Sequence, residues 1–588
     1  MNKVNKNMEN IRHTLAHLLA AAVEELYPNA KRTIGPTIEN GFYYDFDNLN
    51  IGEGDLKKIE AKMRNILPTW KKMQKEKSYL PKQKTEARKQ FKNNVYKKEL
   101  IDEFAKENHP ITFYKAGNFS DLCRGGHVIS PASDIKSDTF RLTKTAGAYW
   151  RGNEKNPMLT RIYGVAFKTK KELKKYLWQQ EEAKKRDHRI LGVKLKLFTF
   201  ADEVGPGLPL WLPNGTIIRE ELEKYAKKIE TQWGYKRVAT PHIAKETLYK
   251  MSGHIPYYAD NMYPPMKLDD GNYYLKAMNC PHTHMIYKSE PRSYKDLPIR
   301  LAEYGTVYRY ELSGVLAGLL RVRGFTQNDA HIYCREDQAE EEFLTVMKLH
   351  EFWYKKIFDI KDFYMRLSLP SKDNSKYADI PNGWNKSVKI LRSAMKKSGL
   401  PYVEAEGEAA FYGPKVDFQI KSVIGREESA STNQLDFLAT EKFNLNYTDK
   451  NGKRKPIYVI HRSPLGSHER FIAFLIEHYA GAFPLWLSPT QVWIVPVSDR
   501  FNAYSKKIEK VLQEKGLRVE LQDESESLGK KIRNGELQKI PYLLIVGEKE
   551  KKAGNVSVRD RKKGDVGVMK LGKFTKKVLE EIEKKTRT

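Results

Sequence analysis

The sequence predicts a multidomain α+β protein that ends in a small α/β domain. Three observations carry this expectation. The chain has 588 residues, too many for one hydrophobic core, so about three or four domains are expected. Residues 309–334, RYELSGVLAGLLRVRGFTQNDAHIYC, read as strand–loop–strand, with polar side chains alternating along the second strand. Near the C-terminus VWIVPV (492–497), RVEL (518–521) and PYLLIVG (541–547) are short apolar runs interleaved with a helical stretch near Phe501–Lys515, the pattern of an α/β domain.

The elements follow in order. Residues 1–167 form the first expected unit. It opens with a helix over Arg12–Leu26, in which His13 and His17 are spaced i, i+4 and share a face. GFYYDFD (41–47) reads as a strand, Leu56–Lys77 as a lysine-rich helical stretch, and residues 140–165 as paired strands of aromatic and β-branched content. Residues 168–196 are the expected linker. Within it Lys170–Lys185 is one charged helix, with Thr169 and Glu172 spaced for a capping box. A second unit spans 197–487, and LSPTQV marks the start of a third, 488–588. There are no internal repeats and no low-complexity tract.

Composition narrows the class. Lys plus Arg (104) against Asp plus Glu (74) gives a net charge of +30, which points to a polyanionic partner unless the whole proteome is lysine-rich. No run approaches the ~18 apolar residues of a membrane span, and Met1–Asn7 lacks the apolar core of a secretory signal. Cys123, Cys280 and Cys334 are three widely spaced cysteines. They argue against a disulfide framework and for a reducing cytoplasm.

Several constellations carry chemistry. Alternation puts Gln327, Asp329 and His331 on one strand face, with Arg321 and Arg323 just upstream. Paired arginines suit a polyphosphate, and the triplet suits a small hydrogen-bonding substrate or a metal. An amphipathic hairpin with a solvated face fits the stretch equally well. Cys280, His331 and His461 would suit Zn²⁺ with a fourth position open. Their separations of 51 and 130 residues favour, on spacing alone, a buried cysteine and structural histidines. His13, His17, Cys123 and His127 form His-x₃-His and Cys-x₃-His pairs. These fit either a four-ligand site or a helical histidine pair on a wet face. FYGPK presents Lys415 after a Gly-Pro turn, STNQLDF presents Gln434 on a strand, and PLGSHERF presents Arg470 at a helix start. Neither a P-loop nor a dinucleotide fingerprint is present.

Taken together, TPHIAKETLY with Pro241, YRYEL, RVRGFTQNDAHIYC, FYGPK, NQLDF and PLGSHERF stand in the order of the class II aminoacyl-tRNA synthetase motifs. In detail they resemble the threonyl-tRNA synthetase family. RHTLAH, GFYYD, CRGGH and KTAGAYWRG resemble its editing region, and LGKKIRNGELQKIPYLLIVGEKE its anticodon-binding domain. The resemblance covers nearly the whole chain. It implies a class II antiparallel sheet with helices, an N-terminal α+β editing domain and a C-terminal α/β anticodon-binding domain.

The implied activity is ATP-dependent activation of L-threonine, transfer to the 3′ end of tRNA(Thr), and hydrolysis of mischarged seryl-tRNA(Thr). The resemblance assigns Arg309 to the α-phosphate, Glu311 and Phe325 to adenine, and Arg321 and Arg470 to the polyphosphate, with Mg²⁺ accompanying ATP. It makes Cys280, His331 and His461 the ligands of one Zn²⁺ per subunit. Gln327, Asp329, Tyr412 and Gln434 fall to the amino acid and Lys415 to its activated carboxylate, with Arg309, Lys415 and Gln327 as the catalytic set. His13, His17, Lys97, Cys123 and His127 become editing residues, without a committed metal. Arg533, Glu550 and Arg559 become anticodon contacts, and Pro241 marks a homodimer interface. A serine or proline synthetase shares the motifs but not the zinc set or the editing unit. A noncatalytic tRNA-binding paralogue would be expected to lose Arg309, Lys415, Arg470 or a zinc ligand, and all are present.

Departures from the family pattern are expected to matter locally. MNCPHTH places Thr283 where histidine is usual, EESAST precedes NQLDF in place of a glutamine-bearing form, and Ser525 replaces a polar amide. Only 11 residues precede Arg12, so the small ubiquitin-like domain common in the family is expected to be absent.

Overall fold

In a computed structural model the described residues are 3–371, 377, 380–410, 412–422, 425 and 427–585; Phe411 of the FYGPK motif lies outside them. The chain divides into two compact units, 1–180 and 181–588. The first unit is built on the helix Lys3–Leu26, which starts earlier than the apolar pattern predicts. Its buried face, Leu15, Leu18, Leu19 and Val23, packs with Phe42, Tyr44 and Phe46. These belong to the strand Gly41–Asp47, which pairs antiparallel with Met158–Ala166, and that strand pairs with Phe140–Tyr149.

The expectation of a helix through 56–77 is half right. The helix stops at Ile66, a 3₁₀ turn containing Pro68 follows, and Met73–Tyr79 is a strand paired with Ile111–Ala116. Proline disfavours helical geometry in the residue before it, and the lysines that looked helical lie exposed along an edge strand, where charge discourages further pairing. The charged helix Lys170–Arg186 follows. Its capping box is present in both directions, Glu172 N–H to Thr169 Oγ1 at 3.2 Å and Thr169 N–H to Glu172 Oε2 at 3.1 Å.

The second unit holds, among the described residues, an eight-stranded sheet. Its strands in chain order are β1 (Lys236–Arg237), β2 (Ile299–Tyr308), β3 (Gly324–Cys334), β4 (Phe363–Leu369), β5 (Tyr402–Glu406), β6 (Lys415–Lys421), β7 (Glu427–Asp436) and β8 (Tyr458–Arg462). The spatial order is β1-β2-β3-β8-β7-β6-β4-β5, antiparallel except for the outer pairs β1–β2 and β4–β5. One core joins the sheet to the helices Pro213–Gln232, Ala339–Glu351, Pro381–Ser398 and His468–Tyr479 through residues such as Ile218, Phe343, Leu391 and Ile472. The opposite face is free to carry polar side chains.

From Val492 onward comes the expected α/β arrangement. Val519–Leu521, Val492–Pro496 and Tyr542–Val546 are parallel neighbours, extended antiparallel by Asn555–Asp560 and Gly564–Lys570. Arg518 ties this part to the sheet-bearing part, with its guanidinium 3.2 Å from Glu221 and donating to the carbonyls of Ser488 and Trp486.

Behind the sheet lies one buried ionic strut. Glu230, on the helix Pro213–Gln232, accepts from Arg462 of β8 at 2.9 Å and Asn328 of β3 at 2.8 Å, and its other oxygen meets Arg237 of β1 at 2.5 Å. Arg462 and Glu230 are almost wholly enclosed, and the Arg462 guanidinium lies 4.1 Å from the centre of the Tyr235 ring. Removing one partner strands a buried charge, so Glu230→Ala should lower unfolding free energy by about 3–5 kcal/mol. Urea unfolding followed by fluorescence measures this. The paired exchange Glu230→Leu with Arg462→Met should cost much less, and a single-site loss below about 1 kcal/mol would show that the strut is unimportant.

Candidate functional site

The site grows from strand register. Across the sheet, His331 of β3 lies opposite His461 of β8, His461 opposite Gln434 of β7, and Gln434 opposite Lys415 of β6. Paired residues on neighbouring strands point the same way, so these four side chains form one row on the polar face. Period two then adds Asp329 and Gln327 from β3. Their neighbours Thr326, Asn328 and Ala330 are buried, as alternation requires. Loops complete a cavity of about 410 Å³, lined by Cys280, Arg309, Phe325, Gln327, Tyr412 and Arg470 among others.

Within the cavity each polar group is aimed by a partner. Gly305 lies opposite Gln327, and a Cβ there would lie 2.1 Å from Asn279 Oδ1. The bare glycine lets Asn279 come close enough to donate to Asp329 Oδ2 at 3.1 Å. Burial raises the Asp329 pKa, opposed first by that hydrogen bond. Tyr412 donates its hydroxyl to Gln434. Lys415 Nζ lies 3.1 Å from Asp417 Oδ2, two residues along the same strand.

Cys280 starts the helix Cys280–Lys288, and its thiol lies with His331 and His461 so that one ligand atom from each falls within 4.8 Å of the others. The three donors are grouped closely enough to be candidates for one zinc ion, whose bonds to such ligands are about 2.0–2.3 Å. The donor set fits. Burial holds the His331 imidazole neutral, well below its ordinary pKa, the form that offers a lone pair. Asp436 Oδ2 lies 3.0 Å from His461 Nε2, leaving the other ring nitrogen available, the arrangement that orients metal-bound histidines. Burial, then Asp329 and Asp436, push the Cys280 thiol well up, so a cation is what would draw out its thiolate.

At the other end of the cavity the cations gather. Arg309 follows directly on β2 with its guanidinium 5.0 Å from the centre of the Phe325 ring. Arg321 pairs with Glu311 at 3.0 Å. Ser467 caps the helix His468–Tyr479 and so sets Arg470 in its first turn. Desolvation at the cavity wall, and then the fields of Arg309 and Arg321 against that of Glu428, hold the Arg470 guanidinium below its ordinary pKa. Three converging arginines with so few carboxylates favour an anion.

The first unit carries its own cluster. Cys123 Sγ lies 3.5 Å from His13 Nε2 and 3.1 Å from His127 Nε2, and the His13 and His17 rings are 5.2 Å apart. With Lys97 and Asp121, most of these residues line a cavity of about 630 Å³. Burial lowers His17 to about 3 and raises Cys123 to about 12, so the rings and the thiol are neutral. Lys97 Nζ meets Asp121 at 2.8 Å. Against the cost of burial, Lys97 and Arg32 hold that carboxyl below its usual range.

The C-terminal candidates separate. Arg559 pairs with Glu536 at 3.2 Å, one turn beyond exposed Arg533 on the helix Leu528–Leu537. Glu550 instead accepts from the Gly547 N–H at 2.9 Å, capping its own short helix. Among the described residues no hydrogen bond or ion pair links it to either arginine.

Sequence reasoning missed the supporting residues Asn279, Gly305, Asp417, Asp436 and His284. His284 is buried, 3.0 Å from the Tyr333 hydroxyl, and its ring centre is 5.7 Å from that of His331. Thr283 is bonded back to the Asn279 carbonyl of its own helix at 3.2 Å. The MNCP motif carried a signal for Asn279. Asp436 likewise lies within NQLDF, and Asp417 stands two residues beyond Lys415 on the same strand; Gly305 and His284 had no local mark, because their neighbours Asn279 and His331 lie far along the chain.

Residues 265–479 match the family described as tRNA synthetase class II core domain (G, H, P, S and T), and residues 491–581 match the anticodon binding domain family. The chain is 50% identical over 558 residues to a threonine–tRNA ligase of Deinococcus radiodurans, covering 94% of this chain and 85% of that one. It is 47% identical over 581 residues to a threonine–tRNA ligase of Porphyromonas gingivalis, covering 97% and 87%. Among solved structures, the RNA binding domain of threonyl-tRNA synthetase from Cryptosporidium parvum superposes with a TM-score of 0.64 at 34% identity, covering 67% of this chain and 98% of that one. With half its residues shared over nearly its full length, the chain belongs to the threonine–tRNA ligase family.

Proposed function

We propose that the chain joins L-threonine to tRNA(Thr) in two steps, an ATP-consuming activation followed by transfer, with residues 197–487 catalysing, 1–167 editing and 488–588 reading the anticodon. The observation that carries this reading is the single polar row of the central sheet. It sets a potential metal site, a carboxylate and an amide beside a cluster of arginines. In the first step a threonine carboxylate oxygen attacks the α-phosphorus of ATP and pyrophosphate leaves. Arg309 faces the α-phosphate, Arg321 and Arg470 hold the β- and γ-phosphates, and Mg²⁺ comes with the nucleotide. Phe325 stacks on adenine, with Glu311 near its amino group. In the second step the terminal ribose hydroxyl of tRNA attacks the activated carbonyl and AMP leaves. Lys415 and Gln327 stabilise charge around that carbonyl. Orientation and electrostatics supply the catalysis, with no covalent enzyme intermediate.

Cys280, His331 and His461 are the residues that would hold one Zn²⁺ per subunit. Bound there, the ion supplies an open Lewis-acidic position for the amino group and hydroxyl of threonine. Asp329, held by Asn279, and Tyr412 with Gln434 close on the same amino acid. An apolar pocket separates near-isosteres such as threonine and valine by only about a hundredfold, so polar recognition is what excludes valine. Serine keeps the hydroxyl and is merely smaller. The neutral cluster of His13, His17, Cys123 and His127, with Lys97, would then position water and the terminal ribose for hydrolysis of seryl-tRNA. Arg533, Glu550 and Arg559 are the proposed anticodon contacts, and the molecule would act in the cytoplasm as a homodimer through the segment containing Pro241.

Amino-acid-dependent pyrophosphate exchange, run with and without a zinc chelator, tests the reading. Exchange should require threonine; exchange with proline but not threonine would sink it. Cys280→Ala should lose both bound zinc, measured by elemental analysis, and threonine activation. Wild-type zinc content in that variant would refute the ligand assignment. Gly305→Ala should push Asn279 from Asp329 and raise the KM for threonine about tenfold, with the KM for ATP unchanged. The double variant His13→Ala with His17→Ala should charge threonine normally while seryl-tRNA(Thr) accumulates. Clearance of seryl-tRNA at the wild-type rate would refute the editing role.

A further inference from the structure

We propose that His188, oriented by Glu477, is a positioning residue that fixes the loop of residues 309–323 against the ATP site. The inference rests on the reading of that loop as ATP-binding and adds a residue from outside the motifs. Arg186, the last residue of the connecting helix, donates to the carbonyls of Glu477 and His478 at 3.3 and 3.1 Å. This anchors the chain entering His188 to the final turn of the helix His468–Tyr479. His188 is 3% exposed. Its Nδ1 lies 2.8 Å from Glu477 Oε1, and its Nε2 lies 3.1 Å from the buried backbone N of Leu319.

The donors dictate one tautomer. A backbone N–H can be received only by a lone pair, so Nε2 is bare and Nδ1 carries the proton it donates to Glu477. Both ring nitrogens are thereby engaged, and hydrogen bonding accounts for the grouping of Asp187, His188 and Glu477 without a metal. The fit is also steric. Gly318 adopts φ +49, and a Cβ there would lie 2.4 Å from His188 Nε2, so the loop backbone rests directly on the ring.

One helix holds two consecutive loop residues. Arg470 donates through Nε to the carbonyl of Leu320 at 3.2 Å, while Glu477 holds the N–H of Leu319 through His188. Seven residues separate Arg470 from Glu477, two helical turns and about 10.5 Å on one face. Arg321 follows at once, so the direction in which its guanidinium enters the cavity depends on both anchors. Without the His188 bond the Leu319 N–H is left buried and unpaired, and the loop must move to recover a partner.

Two half-mimics of histidine separate positioning from bulk stability. In His188→Gln the amide oxygen can occupy the place of Nε2 and receive Leu319. In His188→Asn the amide can still donate to Glu477 but reaches no further. Pyrophosphate exchange is measured with ATP and threonine varied in turn, beside thermal melting. The wild type must show threonine-dependent exchange; its absence would overturn the proposed function rather than the anchor. We expect the KM for ATP to rise about tenfold in His188→Asn and to stay within about twofold of wild type in His188→Gln, with the KM for threonine steady in both. An unchanged KM for ATP in His188→Asn overturns the proposal, as does an equal rise for both substrates, the mark of general loosening. If His188→Asn does not fold, Gly318→Ala reads the same contact from the loop side. Its Cβ collides with the ring, and an unchanged KM for ATP there is equally fatal.

Discussion

Strand register across the central sheet is the constraint on which the rest of the site depends. His331, His461, Gln434 and Lys415 come from four different strands, and pairing places them in one row. A slip by one residue on β3 or β8 would turn the histidine to the buried back and bring an apolar or structural side chain forward. The back of the sheet prevents that slip. Ala330 and Ile332 are fully buried in the core, and Arg462 is held by Glu230 immediately after His461. Register is thus fixed by what lies behind the sheet, and chemistry is displayed on what lies in front.

The site divides by charge. Toward the Cys280 helix, burial keeps the His331 imidazole and the Cys280 thiol neutral, and a cation would draw out the thiolate. Toward the loop of residues 309–323, three guanidiniums converge. The helix His468–Tyr479 serves both the core and this cationic end, burying Phe471, Ile472 and Leu475 while holding the loop through Arg470 and Glu477. A buried helix face makes an accurate anchor because its position is set by packing rather than by the loop it restrains. The two clusters of histidine and cysteine in this chain also differ in support. His461 has a carboxylate at one nitrogen, whereas His13, His17 and His127 mainly contact one another and Cys123.

Much of the fold was legible locally. Period two in FTQNDAHIY predicted which side chains of β3 share a face, the i, i+4 spacing of His13 and His17 placed them together, and Thr169 with Glu172 foretold a capping box. Where reading failed, the cause was competition between local signals. Lysine-rich 73–79 looked helical, but the proline at 68 and pairing with Ile111–Ala116 made it a strand.

By itself the sequence determined the residue types and their faces: a basic multidomain chain, the alternating triplet of β3, and motifs whose resemblance to one family extends from end to end. Tertiary structure alone decided which distant residues meet. The 51 and 130 residues that separate Cys280, His331 and His461 made a metal site improbable on spacing, because spacing measures only local geometry. Antiparallel pairing makes two of the three direct neighbours and the Cys280 helix delivers the third. Asn279 reaching through the gap at Gly305, Asp436 behind His461, and His188 beneath Leu319 are likewise absent from any local pattern, since each is a contact between segments that only packing brings together.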